Sequence, residues 1–248
     1  MFREPKLQSP ADMQQIEKME VIFATSAGHV ADRIDSFPKF ASRRALAKFL
    51  ARHEIFQKIL NVNGSIIECG VLHGAGLFAF AQFSSIYEPY NHTRKVIGFD
   101  TFAGIPQVAD KDTQTGTSSH FSVGALAGSS AAELTAAIEM FDSNRPLSHI
   151  SKIELVAGDL CETAPKYLDD NQHLVVSLLY LDLDLYEPTK VALQTFIPRM
   201  PKGAIIVFDE LNAKTFPGET IAVQEILGVE NCRIERLTID PYISFCIL

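Results

Sequence analysis

The chain has 248 residues, 47% hydrophobic and 21% charged, with a formal net charge of -8. That length suits one large α/β domain or two small ones, and the composition is that of a globular chain, not a disordered or fibrous one. The acidic balance and the lack of a basic tract argue against nucleic acid or an anionic membrane as a partner.

The first forty residues carry a weak helical pattern over residues 12–23, then a turn-like stretch. "SRRALAKFLARHEIFQKIL" is a clearer amphipathic helix. Leu46, Phe49, Leu50, His53, Phe56, Ile59 and Leu60 share one face, Arg43, Lys48, Arg52 and Lys58 lie elsewhere, and Ser42 can cap the start. These elements form an N-terminal helical segment, residues 1–62, ahead of a larger unit, residues 63–248. From Gly64 the pattern alternates. "GSIIECG" reads as a buried strand, "GAGLFAFAQFSSIY" as a helix and "KVIGFD" as a second strand. A loop over residues 102–128 is too long for a plain connection. With Asp110, Lys111, Asp112 and several Ser and Thr, it suggests a mobile lid. A helix over residues 130–141 follows, with a capping box between Ser130 and Glu133. "KIELVAG" and "HLVVSLLYLDLD" are the third and fourth strands. "EPTKVALQTFIPRM" is a helix with Pro188 in its first turn, and "GAIIVFDE" a fifth strand. "GETIAVQEILG" is a helix that Gly228 can stop. "CRIERLTI" and "YISFCIL" end the chain as an antiparallel pair.

Such alternation predicts an α/β fold, a mostly parallel sheet with helices on both faces. Ligands of these sheets sit beyond the carboxyl ends of the strands. Seven acids stand there: Glu68, Asp100, Asp159, Asp182, Asp184, Asp209 and Glu210. Gly70, Gly74 and Gly76 follow the first strand, but not as G-x-G-x-x-G. They either shape the turn or allow close approach of a ligand. A carboxylate beside that turn suits an amine or ribose hydroxyls better than a pyrophosphate. Asp100, ending the second strand, stands where an acid commonly bonds ribose. Asp182, Asp209 and Glu210 together offer the oxygen donors that Mg²⁺ or another divalent cation takes, against the alternative of solvated strand ends. Asp184 lies on the same strand face as Asp182 and could serve as a base.

The cysteines, Cys69, Cys161, Cys232 and Cys246, show no C-x-x-C or zinc spacing, which suggests a reducing compartment. "MFREPKLQSPADMQQ" has no signal-peptide core, and no apolar run reaches bilayer length, so the protein is expected to be cytoplasmic. His120, His149 and His173 read as solvated loop residues. Tyr186 could line an acceptor pocket or simply pack at the strand–helix junction.

"IIECGVLHGAG", "VIGFDTFAGIP", "LYLDLDLYEPT" and "GAIIVFDE", in this order, resemble the class I S-adenosylmethionine-dependent methyltransferases. D-[ST]-F-x-G-x-P at residues 100–106 with D-x-D-L-Y-E-x-T at residues 182–189 narrows the resemblance to the macrocin O-methyltransferase family, which methylates sugar hydroxyls. The resemblance implies a seven-stranded, mostly parallel Rossmann-like sheet with a C-terminal antiparallel hairpin. It implies S-adenosylmethionine and Mg²⁺ as cofactors. Glu68 and the loop with Gly70, Gly74 and Gly76 would border the methionine part. Asp100, with Thr101 and Phe102, would hold ribose, and Asp159 would lie near adenine. Asp182, Asp209 and Glu210 would bind the metal and Asp184 would be the base. The family's pair after the fifth strand is Asp-Asp, where this chain has Asp209-Glu210. His73 stands where the family usually has arginine. The expected partner is a small sugar or glycoside, and the N-terminal segment suits a homo-oligomer contact. The alternative is a metal-dependent glycosyltransferase using Asp182 and Asp184 as a D-x-D site. A nicotinamide enzyme would need G-x-G-x-x-G.

Overall fold

The structure, a computed structural model, describes residues 9–113 and 122–248. The chain divides into two compact units, Met1–Lys48 and Phe49–Leu248. The first contains α1 (Pro10–Thr25), α2 (Val30–Asp35), a 3-10 turn at Phe37–Lys39 and the start of α3 (Arg43–Lys58). Phe23 and Phe40 meet edge to face there with ring centres 5.0 Å apart. The Arg33 guanidinium donates to the Phe23 carbonyl at 2.9 Å.

The second unit is built on one seven-stranded sheet, order β3-β2-β1-β4-β5-β7-β6. Its strands are β1 (Ser65–Cys69), β2 (Val96–Asp100), β3 (Ile153–Ala157), β4 (Val176–Leu181), β5 (Ile205–Phe208), β6 (Ile234–Arg236) and β7 (Ser244–Ile247). The first five run parallel, and β7 pairs antiparallel with both β5 and β6. The helices are α4 (Ala75–Tyr87), α5 (Asp110–Thr113), α6 (Ala131–Ser143), α7 (Leu160–Asp170), α8 (Tyr186–Phe196) and α9 (Pro217–Ile226). Central strands are apolar on both faces because both faces are covered. Ile66, Leu178, Tyr180 and Val207 point into a core shared with Ile55 and Phe56 of α3 and Leu77 and Phe80 of α4. Ile67, Leu179, Leu181 and Phe208 point the other way, toward Ala164 of α7, Phe196 of α8 and Val223 of α9.

Two expectations are corrected. The buried residues of α3 include Ala51, Arg52, Ile55 and Phe56, whereas Phe49 and Leu50 are exposed. The helix is rolled from the face its hydrophobic pattern suggests, and the rotation carries Arg52 inward. Helix α7, absent from the expected elements, fills the gap between β3 and β4, capped by Asp159 and carrying Pro165 inside it. The Ser130–Glu133 box is half formed: Ser130 Oγ accepts from the Glu133 amide at 3.2 Å, but the Glu133 carboxylate accepts from Ser129 Oγ at 2.8 Å. Gly228, at φ +69, does stop α9, its amide donating to the Val223 carbonyl at 3.2 Å.

At the end of the sheet away from the acids, buried Arg94 acts as a staple. Its guanidinium donates to the carbonyls of Ile59, Val62 and Gly64 and to Ser177 Oγ, and pairs with Glu88 at 2.6 Å. Among the described residues no helix is long and apolar enough to cross a membrane.

Candidate active site

The sheet order reverses where β1 lies between β2 and β4, and a crevice opens beyond such a switch point. The loop after β1 is shaped by close backbone approach. Gly70 has φ +90, and a Cβ there would lie 1.9 Å from the Asp182 carbonyl oxygen, so β4 leaves no room for a side chain. Gly74, at φ +79, is the residue before α4. At Gly76 a Cβ would fall 1.8 Å from Glu68 Oε1. All three glycines expected to border a cofactor therefore also answer packing demands of the chain itself.

Asp100 clamps this loop. Its Oδ2 accepts from the amides of Val71 at 2.8 Å and Leu72 at 3.0 Å, and Oδ1 accepts from the Phe102 amide at 2.8 Å. Two carboxylate oxygens carry about four acceptor positions, so capacity for a hydroxyl remains. Thr101 shapes the next turn, donating to the Gly104 carbonyl at 2.6 Å and accepting from the Ala103 amide at 3.1 Å. Phe102 packs against the core. Asp159 caps α7 by accepting from the Cys161 amide at 2.9 Å, and the neighbouring Gly158 amide donates to the Asp100 carbonyl at 3.0 Å. Glu68, Asp100 and Asp159 thus line three adjacent strand ends.

The next two strands bring their acids alongside. Leu181 pairs with Phe208, so Asp182 and Asp209 follow at neighbouring strand ends. The Asp182 amide donates to the Cys69 carbonyl at 2.9 Å and the Asp209 amide to the Leu181 carbonyl at 3.1 Å. Asp209 is 2% exposed and accepts from the Tyr180 hydroxyl at 2.9 Å. Glu219, buried in the first turn of α9, accepts from the Glu210 amide at 3.1 Å. Asp184 stands in the left-handed region at φ +61. Among the described residues no three His, Cys, Asp or Glu side chains form a group able to hold a metal ion. Asp182, Asp209 and Glu210, expected to bind a metal, do not form such a group.

Arg52 and Glu219 were not among the expected site residues. Arg52 is 7% exposed, with its guanidinium carbon 5.4 Å from the Tyr180 ring centre. Burial acts to lower its pKa, but Tyr180, Glu68, Asp209 and Asp182 together hold it above its usual value. Burial pushes the Glu68 carboxyl up to about 8; Arg52 opposes that, while Asp182, Asp209 and Asp100 add to it. Burial also raises Glu219 and Tyr180, each pushed further by Asp209. The site is thus rich in acid, with the Arg52 guanidinium buried among the carboxylates. Glu68 Oε2 and Glu219 Oε2 are buried without a hydrogen-bond partner among the described residues. In the sequence, a helix arginine spaced for a polar face gave no sign of this.

The long loop is anchored at both ends. Ile105 and Ala125 pair through a backbone bond of 2.8 Å. Within the loop expected to form a lid, residues 110–113 form α5; Asp112 there is 1% exposed and accepts from the Tyr186 amide. The rest of that expectation, with His120, falls on residues 114–121, outside the described ones. His149 and His173 are exposed, as expected. Tyr186 is packed, its hydroxyl donating to Glu225 at 2.6 Å.

The profile of the macrocin O-methyltransferase family (TylF) matches residues 34–240. The chain belongs to this family. It is therefore an O-methyltransferase, which removes the glycosyltransferase alternative for Asp182 and Asp184. The crystal structure of CalS11, a calicheamicin methyltransferase, is 31% identical, with a TM-score of 0.93 over 100% of this chain and 97% of that one. An apo structure of CalS11, described as a TDP-rhamnose 3′-O-methyltransferase, is 31% identical, with a TM-score of 0.84 over 97% and 95%. The O-methyltransferase NovP, at 21% identity, shares the fold, with a TM-score of 0.65 over 81% of this chain and 79% of its own. No curated protein matches the sequence.

Proposed function

We propose that this enzyme methylates a hydroxyl of a sugar or sugar-containing small molecule, with S-adenosylmethionine as donor. The observation that carries this reading is the clamp of Asp100 on the loop after β1. A pyrophosphate-binding loop needs free amides, whereas those of Val71 and Leu72 are already taken. The acids along the edge suit a ligand with a positive charge and hydroxyls. The rhamnose derivative named for CalS11, a 31% identical structural relative, supports a sugar-type acceptor.

S-adenosylmethionine, when bound, supplies a methyl group whose bond to sulfur breaks as the bond to the acceptor oxygen forms. Glu68 and the loop with Gly70, Gly74 and Gly76 would border its methionine part. Asp100 would take ribose hydroxyls, with Thr101 and Phe102 beside it, and Asp159 would flank the base. Asp184 would accept the proton of the acceptor hydroxyl. Alignment and fixed charge would supply most of the acceleration. Asp182, Asp209 and Glu210 carry donors of the right chemistry for Mg²⁺, but among the described residues they are not gathered as a ligand set.

The test is calorimetric titration of S-adenosylmethionine into the wild type and Asp184→Asn, with S-adenosylhomocysteine release followed on TDP-deoxysugars. Both proteins should bind, and only the wild type should turn over. No binding heat sinks the cofactor reading; wild-type turnover in the variant sinks the base. Activity that survives EDTA removes the cation, and activity lost to EDTA and restored by Mg²⁺ adds it.

A further inference from the structure

We infer that Asp112 is a positioning residue for Asp184: from the short helix α5 in the loop after β2, its carboxylate supplies the helix cap that fixes the turn on which Asp184 stands. The inference rests on the reading of Asp184 as proton acceptor.

Helix α8 starts at Tyr186, and Leu185 in the capping position makes no side-chain cap bond. The first amides of a helix have no partner within it. Here Leu185 and Tyr186 are buried, so solvent does not serve them. Asp112 does. Its Oδ1 accepts from the Tyr186 amide at 2.7 Å while Oδ2 accepts from the Ala109 amide at 2.8 Å. An acid at this end of a helix also meets the positive end of its dipole. Asp184 lies two residues before the capped amide. The left-handed region at its φ of +61 is uncommon for a residue with a side chain, although Asp tolerates it better than most, and it is favoured where the surroundings hold it. The Asp112 bond restrains that turn from its helical side.

The contact is built tightly. A Cβ on Gly218 of α9 would lie 2.2 Å from Asp112 Oδ1 and 2.5 Å from the Tyr186 nitrogen. Lys111 Nζ pairs with Glu225 at 2.6 Å and lies 3.9 Å from the centre of the Tyr186 ring. The segment that Asp112 anchors begins at the turn held by Asp100.

Two variants disturb the bond from opposite sides. In Asp112→Asn the amide nitrogen cannot accept, so one of the two backbone donors loses its partner. Gly218→Ala drives a methyl group into the same bond. Each should lower kcat at least about tenfold, as misplacement of a reacting group does. The KM and calorimetric affinity for S-adenosylmethionine should stay within about twofold, marking loss in the transition state alone. A kcat near the wild-type value in both variants, with only a lower melting temperature, leaves Asp112 a stability role and overturns the inference. Hydrogen exchange in the wild type needs no variant. A Tyr186 amide exchanging like an exposed one overturns the cap even where both variants misfold. Asp184→Asn separates the two levels: if it retains turnover, the base reading fails; if it loses turnover while the two cap variants keep theirs, only this inference fails.

Discussion

Gly76→Ala runs against the usual expectation for a glycine in a helix. Ordinarily the change gains up to about 1 kcal/mol, because alanine is the better helix former. Here the new Cβ would sit 1.8 Å from Glu68 Oε1, 2.8 Å from Glu68 Cδ and 3.0 Å from Arg52 Nε. The carboxylate must retreat by about 1.5 Å to regain van der Waals distance, in a core packed like a crystal. Overpacking costs about 1–3 kcal/mol, and the displaced groups are a fully buried acid and its cation, which sets the upper part of that range. Offset by the helix gain, about 2 kcal/mol of destabilisation remains. In a chain of this size that lowers the melting temperature by about 4–8 °C. Thermal unfolding followed by circular dichroism checks it, with binding of S-adenosylmethionine weakened alongside. A Gly76→Ala protein that melts at or above the wild-type temperature would refute the claim that Glu68 needs this space.

Two further predictions concern stability. Arg94→Met should lose at least about 3 kcal/mol in urea unfolding, since it strands several buried acceptors and Glu88 at once; its kcat per folded molecule should hold, because the staple lies away from the acids. Glu68 has a folded pKa of about 8 against an ordinary 4.5. A raised value means the folded state keeps a proton the unfolded chain releases. Its contribution is full below pH 4.5 and lost as pH rises through 8, at up to roughly 1.4 kcal/mol per pH unit. Glu68→Gln should remove that slope, so unfolding free energies of variant and wild type should diverge between pH 5.5 and 7.5; parallel curves would place the titration elsewhere.

The sheet was legible because its strands are short apolar runs closed by acids or glycine, and a parallel sheet forces those ends to one edge. Asp182 and Asp209 could be placed together on that ground, and register puts them at neighbouring strand ends. Helix α7 leaves a weak trace in the sequence because Asp159, an acid at a strand end, is also its cap, and Pro165 breaks the pattern within it. Arg52 escaped for a different reason. Helical periodicity sorts charged residues outward, and a charge drawn in by acids from distant strands leaves no local trace. Asp112 belongs with Arg52: its partner, the Tyr186 amide, is 74 positions away, and such long-range caps have no spacing rule.

The imbalance at the proposed ligand edge, with acids gathered around the Arg52 guanidinium, bears on what happens after the reaction. A sulfonium donor arrives positively charged and leaves as a neutral thioether once its methyl group is gone. On the reading proposed above, ionised carboxylates that would draw in the donor would have no comparable hold on the neutral sulfur that remains. An edge that gathers the donor would thereby favour release of the spent product, a directionality rooted in charge.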